Sequence, residues 1–357
     1  MAPLKIGYVG CGFMAQKVHL PNILALAECD LAAIAEVRPQ LGRKVQDRFR
    51  IPKLYPDHLE LAQDPEIEAV AVSGHFAGQG EIAIDLLKAG KDVFMEKPMA
   101  VSVEQAERIL AAENAGDGRL MVGYMKRYDP GNVMVKQLAD RFRASGELGP
   151  IRYVRNHGFC GDWTAGLDTP FIKTDEPLPP APSAWPAWLP ERFRQGYLGY
   201  LQQFTHNVNL VRWFLGAGAD VEVKAVQLDA EKGYFGVAVL EVAGTTTVIE
   251  SGAVKYHGWD EHTQIYFADG WIRTEAPPLL LRNAPATVEV YRGDQGDKVL
   301  SQTFPADGRT WSYKEEMRHF AQCAQTGAPC RSPASDAAED VRTLENIYRA
   351  YVESQPA

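Results

Sequence analysis

The first apolar run of the chain, Leu4–Val9, ends in Gly10-Cys11-Gly12-Phe13-Met14-Ala15, a G-x-G-x-x-A turn that opens a helical pattern. No other stretch restricts the fold as much. Gly10 permits the tight turn, Gly12 lets a pyrophosphate come against the backbone, and the small Ala15 lets helix and strand pack closely. The first helical turn then offers backbone N–H groups to phosphate oxygens. Such a turn is weak evidence alone. Here a strand precedes it, a helix follows it, and Glu36 stands at the end of the second strand, where a carboxylate accepts hydrogen bonds from ribose hydroxyls. Gly10, Cys11, Gly12, Phe13, Met14 and Glu36 are therefore the expected dinucleotide-binding residues. Glu36 favours NAD, because a carboxylate repels a 2′-phosphate. Arg38, two residues on, is suited to bind that phosphate, so NADP stands as the alternative.

The pattern around the turn is that of an α/β chain. Leu4–Val9, Leu31–Val37, Ala69–Ser73, Asp92–Met95 and Leu120–Gly123 read as strands. Phe13–Ala27, Gln40–Arg50, Gly80–Ala89 and Ser102–Ala115 read as the helices between them, with Ser102 and Gln105 spaced as a capping box. Near-continuous apolar strands alternating with helices predict a parallel sheet covered on both faces. This sets a Rossmann domain at 1–123. The remainder, 124–357, reads as an α+β domain with an open, mostly antiparallel sheet. It has a helix at Asn132–Ser145, a strand at Ile151–His157 and a long helix at Gly196–Gly216. Six β-like runs follow from Val221 to Tyr291, and helices at Trp311–Thr326 and Ser335–Glu353 close the chain. A Trp/Pro-rich insert, 161–195, shows little periodicity. Its three tryptophans, Trp163, Trp185 and Trp188, predict an ordered segment, either a lid over the substrate or a subunit contact.

Composition narrows the classes of partner. A net charge of −9 with scattered Lys and Arg disfavours nucleic acid. No apolar run is long enough to cross a bilayer, and the opening MAPLKIGYVG enters a strand without the look of a signal peptide. Cys11, Cys29, Cys160, Cys323 and Cys330 show no C-x-x-C spacing, which fits reduced thiols in the cytoplasm. The His257-Gly-Trp-Asp-Glu-His262 stretch contains ligand types, but a strand alternates its faces and the spacing matches no common zinc pattern. A polar hairpin end is expected there and no metal site.

A second motif adds specificity. Ala89-Gly-Lys-Asp-Val-Phe-Met-Glu-Lys-Pro98 brings a strand to Glu96-Lys97-Pro98 at the carboxyl edge of the sheet. With the glycine turn, "VGYMKRYDPG", the helix carrying "NLVRWFLG" and the terminal helices, it resembles the Gfo/Idh/MocA family over nearly the whole chain. The resemblance implies an NAD(P)-dependent oxidoreductase. It would move a hydride between nicotinamide and a secondary alcohol or ketone of a sugar, glycoside or cyclitol. It also implies a homo-oligomer, dimer or tetramer, built through the open sheet face. By that resemblance Glu96 and Lys97 lie at the nicotinamide, with Lys97 hydrogen-bonded to the reacting hydroxyl. Tyr124, Lys126, Arg127 and His157 are substrate-side candidates, and Trp163 offers a ring to stack on a sugar. The loop Ser73-Gly74-His75-Phe-Ala-Gly-Gln79 borders the cofactor but departs from the Thr-Pro-x-x-x-His pattern of many relatives.

His206 is the expected proton-transfer partner of Lys97. Gln202 lies four residues earlier, on the same helix face, where relatives often carry aspartate. The amide orients the imidazole and brings no charge, so His206 is expected to be a weaker base than in relatives with aspartate. Lys97, His206 and Gln202 are the catalytic candidates. Two other functions share this architecture: a redox-neutral, NAD-dependent glycoside-cleaving enzyme, and a catalytically silent nucleotide-binding sensor or regulator.

Overall fold

The computed structural model describes residues 2–164, 170–180, 184–254, 258–293, 299–303 and 311–356. The chain divides into two compact units. The first comprises residues 1–124, 168–186 and 313–341, and the second residues 125–167, 187–312 and 342–357. The first boundary falls one residue beyond the expected 123. Two later segments, placed by sequence pattern in the second domain, pack instead with the first. The reason lies in burial: Ala334, Ala337, Ala338 and Val341 complete the apolar cluster of the first unit around Val93, Met95 and Val122.

The first unit is built on a parallel sheet of β1 (Leu4–Val9), β2 (Cys29–Ala35), β3 (Lys53–Tyr55), β4 (Ala69–Val72), β5 (Asp92–Glu96) and β6 (Leu120–Gly123). Their order is β3-β2-β1-β4-β5-β6, the doubly wound order whose reversal beside β1 opens a ligand crevice at the carboxyl ends of the strands. β4 and β6 are buried at every position, as strands covered on both faces must be. The connecting helices are α1 (Leu20–Leu24), α2 (Pro39–Phe49), α3 (His58–Gln63), α4 (Phe76–Lys88) and α5 (Val103–Ala115). A π-helical turn at Ala15–His19 precedes α1, where a regular helix from Phe13 was expected. α4 begins four residues before the expected Gly80. Half of the expected capping box forms: Gln105 N donates to Ser102 Oγ at 3.2 Å, while Gln105 Oε1 accepts Val101 N–H at 3.1 Å, one residue before the cap.

The second unit begins with α6 (Pro130–Ser145), β7 (Ile151–Cys160) and α7 (Arg194–Leu215). Then follow β8 (Val221–Leu228), β9 (Gly236–Val242), β10 (Thr245–Ala253), β11 (Trp259–Phe267), β12 (Gly270–Glu275), β13 (Thr287–Arg292) and β14 (Val299–Thr303). Among the described residues these strands form a sheet in the order β14-β13-β12-β11-β7-β10-β9-β8. β7 and β10 run parallel and every other pair antiparallel, so the sheet is mixed but mostly antiparallel. α6 packs on β12 and β13, and α7 on β7 and β10. Burial alternates along β7 because Val154, Asn156 and Gly158 lie under the helices while their neighbours do not. A Cβ at Gly158 would stand 2.7 Å from Asn207 Nδ2, so the missing side chain is what lets α7 approach β7. The chain closes with α8 (Ser312–Thr326) and α9 (Ala334–Glu353). Among the described residues no helix is long and apolar enough to cross a membrane.

Candidate active site

The glycine turn is positioned as its sequence requires. Gly10 has φ of 92°, and a Cβ there would stand 2.7 Å from the Ser73 carbonyl oxygen at the end of β4. A Cβ on Gly12 would meet nothing within 4 Å, which leaves room for a phosphate against the backbone. The residues present thus fit a dinucleotide. Glu36 is more committed than expected. Its Oε2 accepts Cys11 N–H at 2.7 Å and Arg38 Nη2 at 3.0 Å, while Oε1 accepts Arg38 Nε at 2.7 Å and Arg38 N at 3.1 Å. Four donors saturate the carboxylate, so ribose hydroxyls can reach it only by displacing one of them. The same pairing ties Arg38 to Glu36 and takes the guanidinium out of simple competition for a 2′-phosphate.

The turn at Glu96-Lys97-Pro98 is anchored from beneath by a residue that no motif marks. Gln79, fully buried on α4, donates through Nε2 to the carbonyls of Glu96 at 2.8 Å and Pro98 at 2.7 Å, bracketing Lys97. The Lys97–Pro98 peptide is cis. Glu96 Oε1 bonds His19 Nε2 at 2.8 Å, and Glu96 Oε2 accepts Lys97 N–H at 3.1 Å. Glu316 of α8 lies in the same buried group. The ligating atoms of His19, Glu96 and Glu316 are within 4.8 Å of one another, and the direct His19–Glu96 bond accounts for two of the three. Neither oxygen of Glu316 has a hydrogen-bond partner among the described residues. Burial, and then the charge of Glu96, push its carboxyl well above the usual range, with Lys97 opposing.

The raised proton affinity of buried Glu316 has a measurable consequence. Its folded-state affinity for a proton exceeds the unfolded value of 4.5, so its stabilising contribution is complete below that pH and is lost as pH rises. Glu316→Gln should therefore gain stability relative to the parent as pH rises above 4.5, by at most about 1.4 kcal/mol per pH unit. Urea unfolding of both proteins at about pH 5 and about pH 7 checks it. A difference that does not grow with pH would show that Glu316 ionises normally.

In the second unit Gln202 and His206 both lie on α7, one helical turn apart, with Gln202 half-buried and His206 buried. Other substrate-side candidates are committed elsewhere. The Lys126 ammonium is buried and paired with Glu261 of β11. Arg127 donates from Nε to Asn209 Oδ1 at 2.8 Å and lies 5.7 Å over the Trp213 ring. Tyr124 is buried in the apolar cluster of the first unit. The charged groups of Lys126 and Arg127 are thus committed to partners inside the second unit. His157 falls on the β7 face opposite Asn156 and Gly158, away from α7. There it bonds Glu250 through Nδ1 at 2.5 Å and stacks on Phe159 and His262. His262 and Asp260 share this face and Glu261 points to the other, while His257 lies outside the described residues. Trp163 is half-buried in the turn after β7.

The insert is divided as well. Trp188 donates from Nε1 to Glu345 at 2.8 Å and packs edge-on against Tyr197, inside the second unit. Pro170 to Glu176 bond to the first unit.

Comparison with known proteins fits this geometry. The profile of the Gfo/Idh/MocA oxidoreductase family, NAD-binding Rossmann fold, matches residues 4–124. Those residues belong to the Gfo/Idh/MocA family. A myo-inositol 2-dehydrogenase from Thermotoga maritima is 24% identical over 335 residues, covering 91% of this chain and 90% of its own. Among solved structures, the aldose-aldose oxidoreductase from Caulobacter crescentus superposes with a TM-score of 0.75 at 20% identity over 99% of this chain and 98% of that one. A 3-ketoreductase from Actinomadura kijaniata, complexed with NADP and TDP-benzene, gives 0.73 at 20% over 98% of each chain. The fold is thus shared along nearly the whole of both chains, and residues 4–124 carry the NAD-binding Rossmann fold of the family.

Several buried polar residues around the two turns escaped the sequence. Gln16, His19, Gln79 and Glu316 are single polar residues in apolar or amphipathic runs, and only their burial marks them. Gln79 had a signal of sorts, since it closes the loop after β4. Glu316 had none.

Proposed function

We propose that the chain oxidises a secondary alcohol of a cyclitol or sugar, or reduces the corresponding ketone, with NAD as the preferred partner and NADP as the alternative. The observation that carries this reading is the relation to a myo-inositol 2-dehydrogenase over nine-tenths of both chains. Bound NAD supplies the hydride acceptor. Lys97, at the carboxyl end of β5, holds the reacting hydroxyl. His206 takes its proton, and Gln202 orients the imidazole by a hydrogen bond. Gly10, Cys11, Gly12, Phe13 and Met14 bind the pyrophosphate, and Ser73, Gly74 and His75 border the nicotinamide. Trp163 is the proposed ring for stacking on the apolar face of the substrate. Cys11, Cys29, Cys323 and Cys330, none of them disulfide-bonded, support a reducing compartment, the cytoplasm. The face of the second unit's sheet opposite α6 and α7, with Trp271 stacked on Tyr291, is the proposed surface for a homo-oligomer.

Product analysis tests the reading. Incubation with NAD and cyclitols, sugars or glycosides should yield a ketone in a one-to-one ratio with NADH. A glycoside split into sugar and aglycone with no net NADH would assign the redox-neutral cleavage instead.

A further inference from the structure

The described part of the insert that packs with the first unit is extended. From Ile172 to Pro177 its residues alternate half-buried and exposed, so one parity faces the unit. Its first anchor is the glycine turn. Gln16, in the π-helical turn after Gly12, pairs its amide with the Ile172 backbone in both directions. Nε2 donates to the Ile172 carbonyl at 3.0 Å, and Oε1 accepts Ile172 N–H at 2.8 Å. The same Nε2 donates to Cys11 O at 2.8 Å, so one side chain joins the segment to the turn. The Phe171 ring stands edge-on to Phe13, 5.2 Å between centroids, and Lys17 Nζ donates to Pro170 O.

The second anchor is the N-terminus of α2, immediately after β2. Arg38 is the N-cap residue and provides no side-chain cap. Glu176 supplies the missing acceptor: Oε1 takes Gln40 N–H at 2.9 Å and Oε2 takes Leu41 N–H at 3.0 Å. Thr174 Oγ1 donates to the same carboxylate at 2.9 Å. A two-oxygen anion on consecutive N–H groups, beside Arg38 and Glu36, has the chemistry of a bound phosphate. That place follows the strand whose terminal residues read the ribose 2′ position of a dinucleotide.

The two anchors bracket the adenosine half of the cofactor, from the pyrophosphate turn to the ribose 2′ position. We propose that residues 170–176 are a strap over adenosine, and that Glu176 excludes NADP(H) by occupying the place of its 2′-phosphate. The inference deepens the cofactor reading and rests on it. A phosphate entering there meets a carboxylate already bonded to the helix N-terminus, and like-charge opposition of this kind costs at least tenfold in affinity.

The test is fluorescence titration of the full chain with NADH and with NADPH, repeated on Glu176→Ala and Glu176→Gln. The unsubstituted protein should prefer NADH. Both variants should shift the NADPH-to-NADH affinity ratio towards NADPH by about tenfold or more. The glutamine variant keeps an acceptor for the helix N-terminus and separates charge from packing, and far-UV circular dichroism confirms that each variant is folded. An unshifted ratio in both folded variants, or equal affinity of the parent for the two nucleotides, overturns the strap. Failure of the parent to bind either nucleotide would overturn the cofactor reading itself.

Discussion

Lys97→Ala is expected to reduce turnover by about a hundredfold or more, the usual scale for a lost acid–base group. The structure explains why the Glu96-Lys97-Pro98 turn is held so firmly. Gln79 grips the carbonyls on either side of Lys97, and Glu96, itself fixed by His19, accepts the Lys97 N–H. A backbone fixed at three points aims one side chain, and aiming is what hydride chemistry needs from it. His206→Ala is expected to act on the same scale. The split between constants separates role from scaffold: loss of proton transfer lowers kcat, whereas a binding defect raises KM with kcat unchanged. Steady-state kinetics of both variants, with unfolding curves to confirm the fold, provide the measurement. Full activity in His206→Ala would remove that residue from the chemistry and leave Lys97 as the single proton carrier.

Gly10→Ala is expected to weaken NADH binding by about a hundredfold, since about 1–3 kcal/mol of backbone strain enters at φ of 92° and a new Cβ presses on Ser73. The contact matters because Ser73 is itself tied down, its Oγ accepting from Tyr8 Oη at 2.6 Å across adjacent strands. Neither strand end can retreat cheaply, so the strain is relieved by moving the turn that receives the pyrophosphate. Calorimetric titration with NADH checks this. Unchanged affinity would mean that the turn does not contact the cofactor.

The cofactor half of the site was legible because its signals are local. A glycine turn between a strand and a helix, an acid at the end of β2 and a Lys-Pro pair ending β5 are each read within a few residues. Their placement then follows from the order of a parallel sheet. What the sequence could not show is who partners whom. Glu36 reads as a ribose acceptor until Cys11 N–H and the Arg38 guanidinium are seen to fill it. Lys126 and Arg127 look available beside a strand end, yet Glu261 and Asn209, more than eighty residues away in sequence, bury them. Alternation along β7 assigns His157 a parity but not a face, because α7 chooses the face by packing on Asn156 and Gly158. β3 and α3 are too short for their periodicity to stand out. The insert, being aperiodic, gave no hint that Ile172 and Glu176 bond to the glycine turn and to α2.

The central claim is hydride transfer between a nicotinamide and a ring carbinol. The most direct measurement is the absorbance of reduced nicotinamide during incubation of the protein with NAD or NADP and a panel of inositols, sugars and glycosides. A steady rise is expected with NAD and at least one cyclitol or sugar, slower with NADP, and abolished in Lys97→Ala. Tight nucleotide binding with no absorbance change and no product across the panel would contradict it.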